Sequence, residues 1–520
     1  MGMNISPLTY IIGWPLLAAI GLVLVPRNYR VVLRFIAVAA TFISMVLAIK
    51  LFIQFDSTAS GYQFVQQVPW VAALGISYHV GVDGLNIGLI LMTAIVAFAA
   101  TCVAYEIQQR EKEFYILLML MVGGILGAFA SLDLVFFYGF HELALVPTFI
   151  MIGVWGRGDR KQYAAYQITI YLSVGALLVL VGLIALYLQT GARSFDLDQL
   201  TEAVAKTAVA GKAQSWIFAL LLLGFGILVG LWPFYSWAPA AYSSAPTATA
   251  MLHAGAIKKF GLYGLLRIAL PLLPAAARDW AVIVAWLCLG NILLCGLMAM
   301  RQKDLNYLVS YSSLAHIGFI FLGLASLTLI GITGMVTLMV AHGFLAALLF
   351  ATTGWLRLQT KTLEMSELGG LLRQWPFIGA ILLMAMLAGC GLPGFANFVG
   401  ELLVFFGAWN VFTAVTILAV WGGLIIGAVY MLRAARQVLH GPALEQWAAV
   451  TDVVSGWRKL PFVLLLSALL LFGCIPGLLT SRVEPAAAMI LNRIAQQNPA
   501  LIISGKDPGA PVNANPTQAK

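Results

Sequence analysis

The 520 residues are 62% hydrophobic and only 9% charged, with a mean hydropathy of +0.95. Soluble domains carry roughly 25% charged residues, so this composition excludes a soluble globular protein and requires one that lives in a membrane. The net charge of +9 calls for no nucleic acid, because basic residues of membrane proteins collect in the loops on one side of the bilayer.

Apolar runs of about 20 residues recur along nearly the whole chain. They predict helices, since barrel strands need only about 10 alternating residues. The fold class is therefore all-α, with fourteen predicted spans over 8–25, 31–53, 87–106, 114–131, 134–155, 162–189, 215–235, 246–272, 279–299, 304–325, 327–354, 375–408, 410–432 and 461–480. The first run lacks a basic flank and reads as a span, not as a cleavable signal. The twelfth is too long for one straight helix and must tilt or break. After Ser481 the chain turns polar and ends in GKDPGAPVNANPTQAK, which predicts a disordered tail over 485–520.

An even number of spans places both termini on one side. One alternate set of loops carries 16 basic residues, among them Arg157, Arg160, Lys161, Arg301 and Lys303. The other set carries four, Arg193, Lys206, Lys212 and Arg278. The basic set should face the cytoplasm and both termini the outside.

The seventh span reaches Gly230-Leu-Trp-Pro233 and the twelfth Gly391-Leu-Pro-Gly394. Proline removes a backbone donor and clashes with the preceding turn, so both helices should break at Pro233 and Pro393. Matching breaks in two halves point to inverted repeats around a midplane polar site. The domain reading is an N-terminal part over 1–113, five-helix units over 114–272 and 273–440, and a last span within 441–484.

A charge in mid-membrane is costly and marks a functional candidate. Such residues are few here: His141 and Glu142 in the fifth span, His253, Lys258 and Lys259 in the eighth, His316 in the tenth, His342 in the eleventh and Glu401 in the twelfth. Together they suit a proton relay of acid, lysine, histidines and acid. The same residues also have packing readings. Glu142 and Lys259 would form a static ion pair, His316 and His342 would bond backbone carbonyls, and Glu401 would cap a helix end. Lys258 lies about 100° around the helix from Lys259, so the two cannot point the same way. His79 and His440 fall in loops. The five cysteines lie inside spans without a C-x-x-C pair, which argues against iron–sulfur or zinc sites. No P-loop and no G-x-G-x-x-G after a strand is present.

Several segments in order resemble the M-type antiporter-like membrane subunits of respiratory complex I, the proton-pumping NADH:quinone oxidoreductase. They are LGISYHVGVDGLN (74–86), DLVFFYGFHELALVPTFIMIGVWG (133–156), APTATAMLHAGAIKKFGLYGLLR (245–267), DLNYLVSYSSLAHIGF (304–319), the His-Gly of the eleventh span and GLPGFANFVGE (391–401). The resemblance runs from about Pro69 to Ala487. It implies fourteen helices with discontinuous seventh and twelfth spans, and proton translocation through Glu142, Lys259, His316, His342 and Glu401. It also implies a multi-pass place in a bacterial inner membrane among antiporter-like paralogues, quinone-side subunits and a hydrophilic redox arm. NADH, FMN, iron–sulfur clusters and quinone would sit in those partners, with no cofactor or metal in this chain. A subunit of a multi-subunit cation/proton antiporter, or a bracing subunit with impaired pumping, are the alternatives.

The chain departs from the family pattern in the seventh span. The usual lysine falls on Leu228, the histidine after Pro-Phe is Tyr235, and Asp-Ala-His is Ala240-Ala241-Tyr242. Lys258 stands where the family has an apolar residue, and His253 is likewise unusual. One lost and one gained lysine in consecutive spans suggest that Lys258 or His253 replaces the missing charge and pairs with Glu142.

Overall fold

The computed structural model of the protein describes residues 5–59 and 61–497. In chain order its main elements are α1 (Pro7–Leu24), α2 (Arg30–Gln54), β1 (Gln63–Val71), β2 (Ile76–Val82), α3 (Ile87–Val103), α4 (Glu111–Ala130), α5 (Leu134–Trp155), α6 (Lys161–Thr190), α7 (Leu197–Lys206), α8 (Gly211–Val229) and α9 (Trp237–Ser244). Then follow α10 (247–272), α11 (Pro274–Arg301), α12 (Leu305–Ser326), α13 (Leu329–Thr360), α14 (Pro376–Gly389), α15 (Ala396–Trp409), α16 (Thr413–Leu439), α17 (Gly456–Cys474) and α18 (Gly477–Gln497). Among the described residues, twelve helices are long and apolar enough to cross a membrane. The shorter apolar pair α14 and α15 adds to them, as does α10, which is buried at every position.

Burial sorts the helices into an inside and a rim. α13 is enclosed along its apolar length, and α3 and α12 nearly so. On α2 and α6, Phe35, Ile53, Ile170 and Leu177 point outward. Apolar side chains ringing a polar centre are what a lipid solvent selects, since the hydrocarbon rewards no apolar burial.

Both expected breaks are present. α8 stops at Gly230, whose φ of +84° takes a left-handed turn open to glycine. Backbone groups freed at membrane depth need partners from within the protein, and Asn291 of α11 supplies them. Its Oδ1 accepts from Trp232 N at 2.6 Å, and its Nδ2 donates to the carbonyls of Gly230 (3.0 Å) and Leu314 (3.2 Å). Trp237 Nε1 donates to Ile227 O at 3.1 Å. In the twelfth span, Gly391 (φ +69°) and Gly394 (φ +99°) turn the chain between α14 and α15.

Three elements depart from the sequence reading. The segment before α3 is an antiparallel hairpin of β1 and β2, with Val68 opposite Tyr78. At its turn, Gly75 sits where a Cβ would lie 2.3 Å from Arg193 O. α7 is a short amphipathic helix capped by Asp196 and seated on Leu197, Leu200 and Val204. The tail expected to be disordered is helical to Gln497, because Leu479, Val483, Ala487, Ile490 and Ile494 recur at helical spacing and are buried. The remainder of that tail, 498–520, lies outside the described residues.

Helix α10 is not a regular α-helix. π-helical turns occupy His253–Ile257 and Leu265–Ala269, and α11 has another at Gly290–Cys295, around Asn291. Single π turns inside α-helices gather at functional sites because they re-aim side chains and loosen the carbonyl ladder.

Asn291 should be the weak point of the α8 break. Asn291→Leu strands the two backbone groups at the break, Trp232 N and Gly230 O, and is expected to destabilise the protein by about 2–4 kcal/mol, read as a lower unfolding temperature in detergent.

Candidate functional site

Four of the expected residues form one buried line across four helices. Lys259 stands in the middle of α10, fully buried. Its Nζ donates to Ala254 O at 2.6 Å and meets His342 Nδ1 of α13 at 2.8 Å. The His342 ring faces that of His316 on α12, with centroids 5.7 Å apart and planes 30° from parallel. His316 Nε2 lies 3.5 Å from Glu401 Oε1 of α15.

Hydrogen-bond chemistry assigns the protons. The Ser312 carbonyl can only accept, so His316 Nδ1 donates to it at 2.8 Å. Nε2 then faces Glu401, and that contact is favourable only when a proton sits on Nε2 or on the carboxyl, since a bare imidazole nitrogen and a carboxylate both only accept. An ammonium has only donors, so His342 Nδ1 accepts from a charged Lys259. The Glu401 carboxylate is held close by the break itself, since a Cβ at Gly391 would lie 2.7 Å from Oε2. Asn397, one turn before Glu401, has a fully buried amide with no hydrogen-bond partner, and Ser313 Oγ, one turn before His316, is also buried and unpartnered.

The other candidates stand apart. Lys258 is fully buried but points away from Lys259, its Nζ 5.2 Å from the centroid of the Tyr242 ring on α9. Tyr242 OH meets His253 Nδ1 at 3.0 Å. Lys258 makes no pair with Glu142, contrary to the sequence expectation, and neither does Lys259. The ring of His141 stacks on Phe260 at 3.8 Å, and Phe260 on Phe137 at 4.3 Å, so aromatic side chains stand between α5 and the lysines. Glu142 itself shares a partly exposed face of α5 with Gly139, Val146 and Ile150. Its side chain is 31% exposed, with Oε1 3.6 Å from His141 Nδ1. Pro233 is exposed at the rim and Pro393 likewise. Leu228, where the resemblance leads one to expect a lysine, is buried in apolar surroundings.

Other polar clusters escaped the sequence reading. Arg267, near the end of α10, forms a buried two-pronged pair with Asp83, at 2.6 and 2.5 Å, and donates to Tyr263 OH at 3.0 Å. The signal was there: a lone arginine inside a span and an aspartate in the VGVDGLN motif. His79, set aside as a loop residue, is buried against Asp196. Asp133 caps α5 and also accepts from Ser77 N at 3.0 Å. Burial pushes the Asp133 carboxyl above its usual range against the pull of those amides. Asp198 is raised too, first by burial and then by the Asp196 charge. These contacts tie the hairpin to α5 and α7. Among the described residues, no group of three or more His, Cys, Asp or Glu is placed to hold a metal ion.

Residues 131–427 match the family described as NADH:quinone oxidoreductase/Mrp antiporter, TM. The chain belongs to that family. It is 34% identical over 408 residues to NADH-quinone oxidoreductase subunit M of Rickettsia bellii, covering 78% of this chain and 81% of the relative. It is 35% identical over 419 residues to F(420)H(2) dehydrogenase subunit M of Methanosarcina mazei, covering 79% and 83%. Among solved structures it is similar to a chain of respiratory complex I from Thermus thermophilus with bound NADH. That likeness has a TM-score of 0.85 at 28% identity, over 94% of this chain and 99% of that one. The family match spans every helix of the buried line.

The Arg267–Asp83 pair is expected to act in stability. Arg267→Met leaves a buried carboxylate unpaired and should cost about 3–5 kcal/mol, whereas Arg267→Met with Asp83→Leu should recover most of that loss. Thermal unfolding of the three proteins in detergent measures both steps.

Proposed function

We propose that the chain is the M-type membrane subunit of a complex-I-type quinone oxidoreductase and moves protons through Lys259, His342, His316 and Glu401. The observation that carries this reading is the buried alignment of a mid-membrane lysine, two facing imidazoles and a mid-membrane carboxylate. Within it, His342 Nε2 is buried without a partner and leaves the step to His316 for an ordered water to bridge. In a membrane such residues are retained for proton relays more than for packing. His316 does bond a carbonyl, as a packing histidine would, but its other nitrogen is aimed at an acid. The unpartnered Asn397 and Ser313 beside that contact suit ordered water, which bridges buried polar groups elsewhere.

A proton on Lys259 passes to His342 Nδ1, the imidazole releases its Nε2 proton toward His316, and His316 delivers to Glu401. The step leaves His342 protonated at Nδ1 instead of Nε2, so its ring must return to the first tautomer, Glu401 must release its proton and Lys259 must be reloaded before the next proton passes. Redox chemistry belongs to partner subunits, which would carry the NADH or other donor site, FMN, iron–sulfur clusters and quinone. The likeness to an F(420)H(2) dehydrogenase subunit supports a family in which the electron donor varies while this subunit persists. Fourteen crossings, with inverted five-helix units over 114–272 and 273–440, both termini outside and the basic loops cytoplasmic, complete the proposed topology.

Glu142 fits the edge of this scheme. It begins about 12 Å along α5, on a face open to the bilayer, where a carboxylate is costly. A neighbouring membrane subunit covering α5 would shelter it and place it at the junction between two proton-carrying subunits.

In the assembled complex reconstituted into vesicles, Lys259→Met and Glu401→Gln should each lower proton translocation by about a hundredfold. Full translocation in variants that assemble normally would contradict the relay and leave a bracing role.

A further inference from the structure

We infer that His253, Tyr242 and Lys258 form a proton-loading branch that feeds Lys259 from the arginine-rich face of the protein. This rests on the reading of Lys259 as a proton carrier, and gives these three residues the role of supplying it.

Lys258 raises the question by its surroundings. Its side chain is fully buried, its Nζ has no hydrogen-bond partner, and it makes no ion pair among the described residues. The ammonium sees the Tyr242 ring and, from the neighbouring α11, the Cys295 thiol. A cation–π contact is weaker than the cost of holding an unpaired ammonium in a protein interior. A permanent charge there would be a liability, but a charge present only while a proton passes would not.

The π turn explains why the group is assembled here. In an α-helix, residues five apart are about 140° around the axis from one another. The π turn closes its hydrogen bond from Lys258 N to His253 O, at 3.0 Å, which brings the two side chains toward one face. Both meet Tyr242, Lys258 over the ring and His253 at the hydroxyl. His253 Nε2 is buried and has no hydrogen-bond partner, so one end of the triad is free to receive a proton.

That end leads toward the arginine-rich face. Two turns earlier, Thr247 begins α10 by donating its N–H and hydroxyl to Glu106, both at 2.7 Å, and Glu106 is paired with Arg157. Arg357 Nη1 donates to Ser243 O at 2.6 Å beside it. A polar collar thus stands about 9 Å from His253 along the helix. On the α5 side, by contrast, the way to Lys259 is closed by the His141, Phe260 and Phe137 stack.

The transfer conserves protons at each step. His253 binds a proton at Nε2 and releases the one on Nδ1 to the Tyr242 oxygen. Lys258 Nζ stands over the Tyr242 ring and not at its hydroxyl, so Tyr242 gives its own hydroxyl proton to the neutral Lys258 amine through a bridging water. Lys258 points away from Lys259 at rest, so its flexible side chain must swing toward the neutral Lys259 amine to pass the proton, and it returns to its amine form as the proton leaves.

The test uses the whole complex in vesicles, driven by its electron donor, with proton translocation measured for assembled variants. Lys258→Arg keeps a cation but cannot release a proton, and Tyr242→Phe keeps the ring but removes the hydroxyl. Translocation should fall about tenfold in Lys258→Arg, and measurably in Tyr242→Phe. Wild-type translocation in either variant overturns the branch, and recovery of a Lys258→Met loss by arginine would mean a static charge and overturn it too. Lys259→Met separates the two claims: if it abolishes translocation while the branch variants do not, only the branch fails. If Lys259→Met itself translocates normally, the parent reading and the branch fail together.

Discussion

Lys259 sits mid-way along a membrane helix without a carboxylate to pair it. Its nitrogen is held by one backbone carbonyl and one imidazole, Ala254 O and His342 Nδ1. The rest of the site depends on that arrangement. A carboxylate partner would fix the charge, whereas a carbonyl and an imidazole hold the nitrogen without neutralising it. The π turn of α10 accompanies this geometry, because loosening the carbonyl ladder lets a main-chain oxygen face a side chain. Solvation, the usual support for an ammonium, is replaced by two groups that can let it go.

The helix breaks serve the same end. An interrupted span exposes backbone amides and carbonyls at a depth where lipid cannot satisfy them. At the first break Asn291 takes up two such groups, Trp232 N and Gly230 O. At the second, glycines at 391 and 394 turn the chain so tightly that the Glu401 carboxylate rests against the turn. The positive φ of Gly391 and the closeness of Glu401 are one feature: a side chain there would strain the backbone and displace the acid. The two breaks are thus used differently, one as a lateral rim feature and the other as part of the site.

Much of this was legible in the chain, for identifiable reasons. Runs of apolar residues mark the spans, Gly-x-x-Pro at 230–233 and Gly-x-Pro at 391–393 mark the interruptions, and charges are so rare inside the spans that Lys259, His316, His342 and Glu401 stand out as candidates. What stayed hidden were directions. Nothing in Lys258-Lys259 says which side chain turns to His342 and which to Tyr242, since a change from α to π registry leaves no compositional trace. The supposed Lys258–Glu142 pair failed for that reason, with Phe260 standing between their helices. The hairpin was missed because β1 begins QFVQQ, whose glutamines read as loop. In α18 the burial period was present from Leu479 to Ile494, but polar residues between those positions masked it. Arg267 and Asp83 were overlooked because they lie near span ends, where charges are ordinary, and only the fold brings them together.

A relay requires that Glu401 and the two histidines change protonation while the complex works. Infrared difference spectroscopy of the assembled complex under turnover, with histidine isotopically labelled, observes this directly. The account predicts a carboxyl band that appears and decays with turnover and vanishes in Glu401→Gln, accompanied by label-sensitive imidazole bands. Turnover with full proton translocation and no change in either group would contradict it.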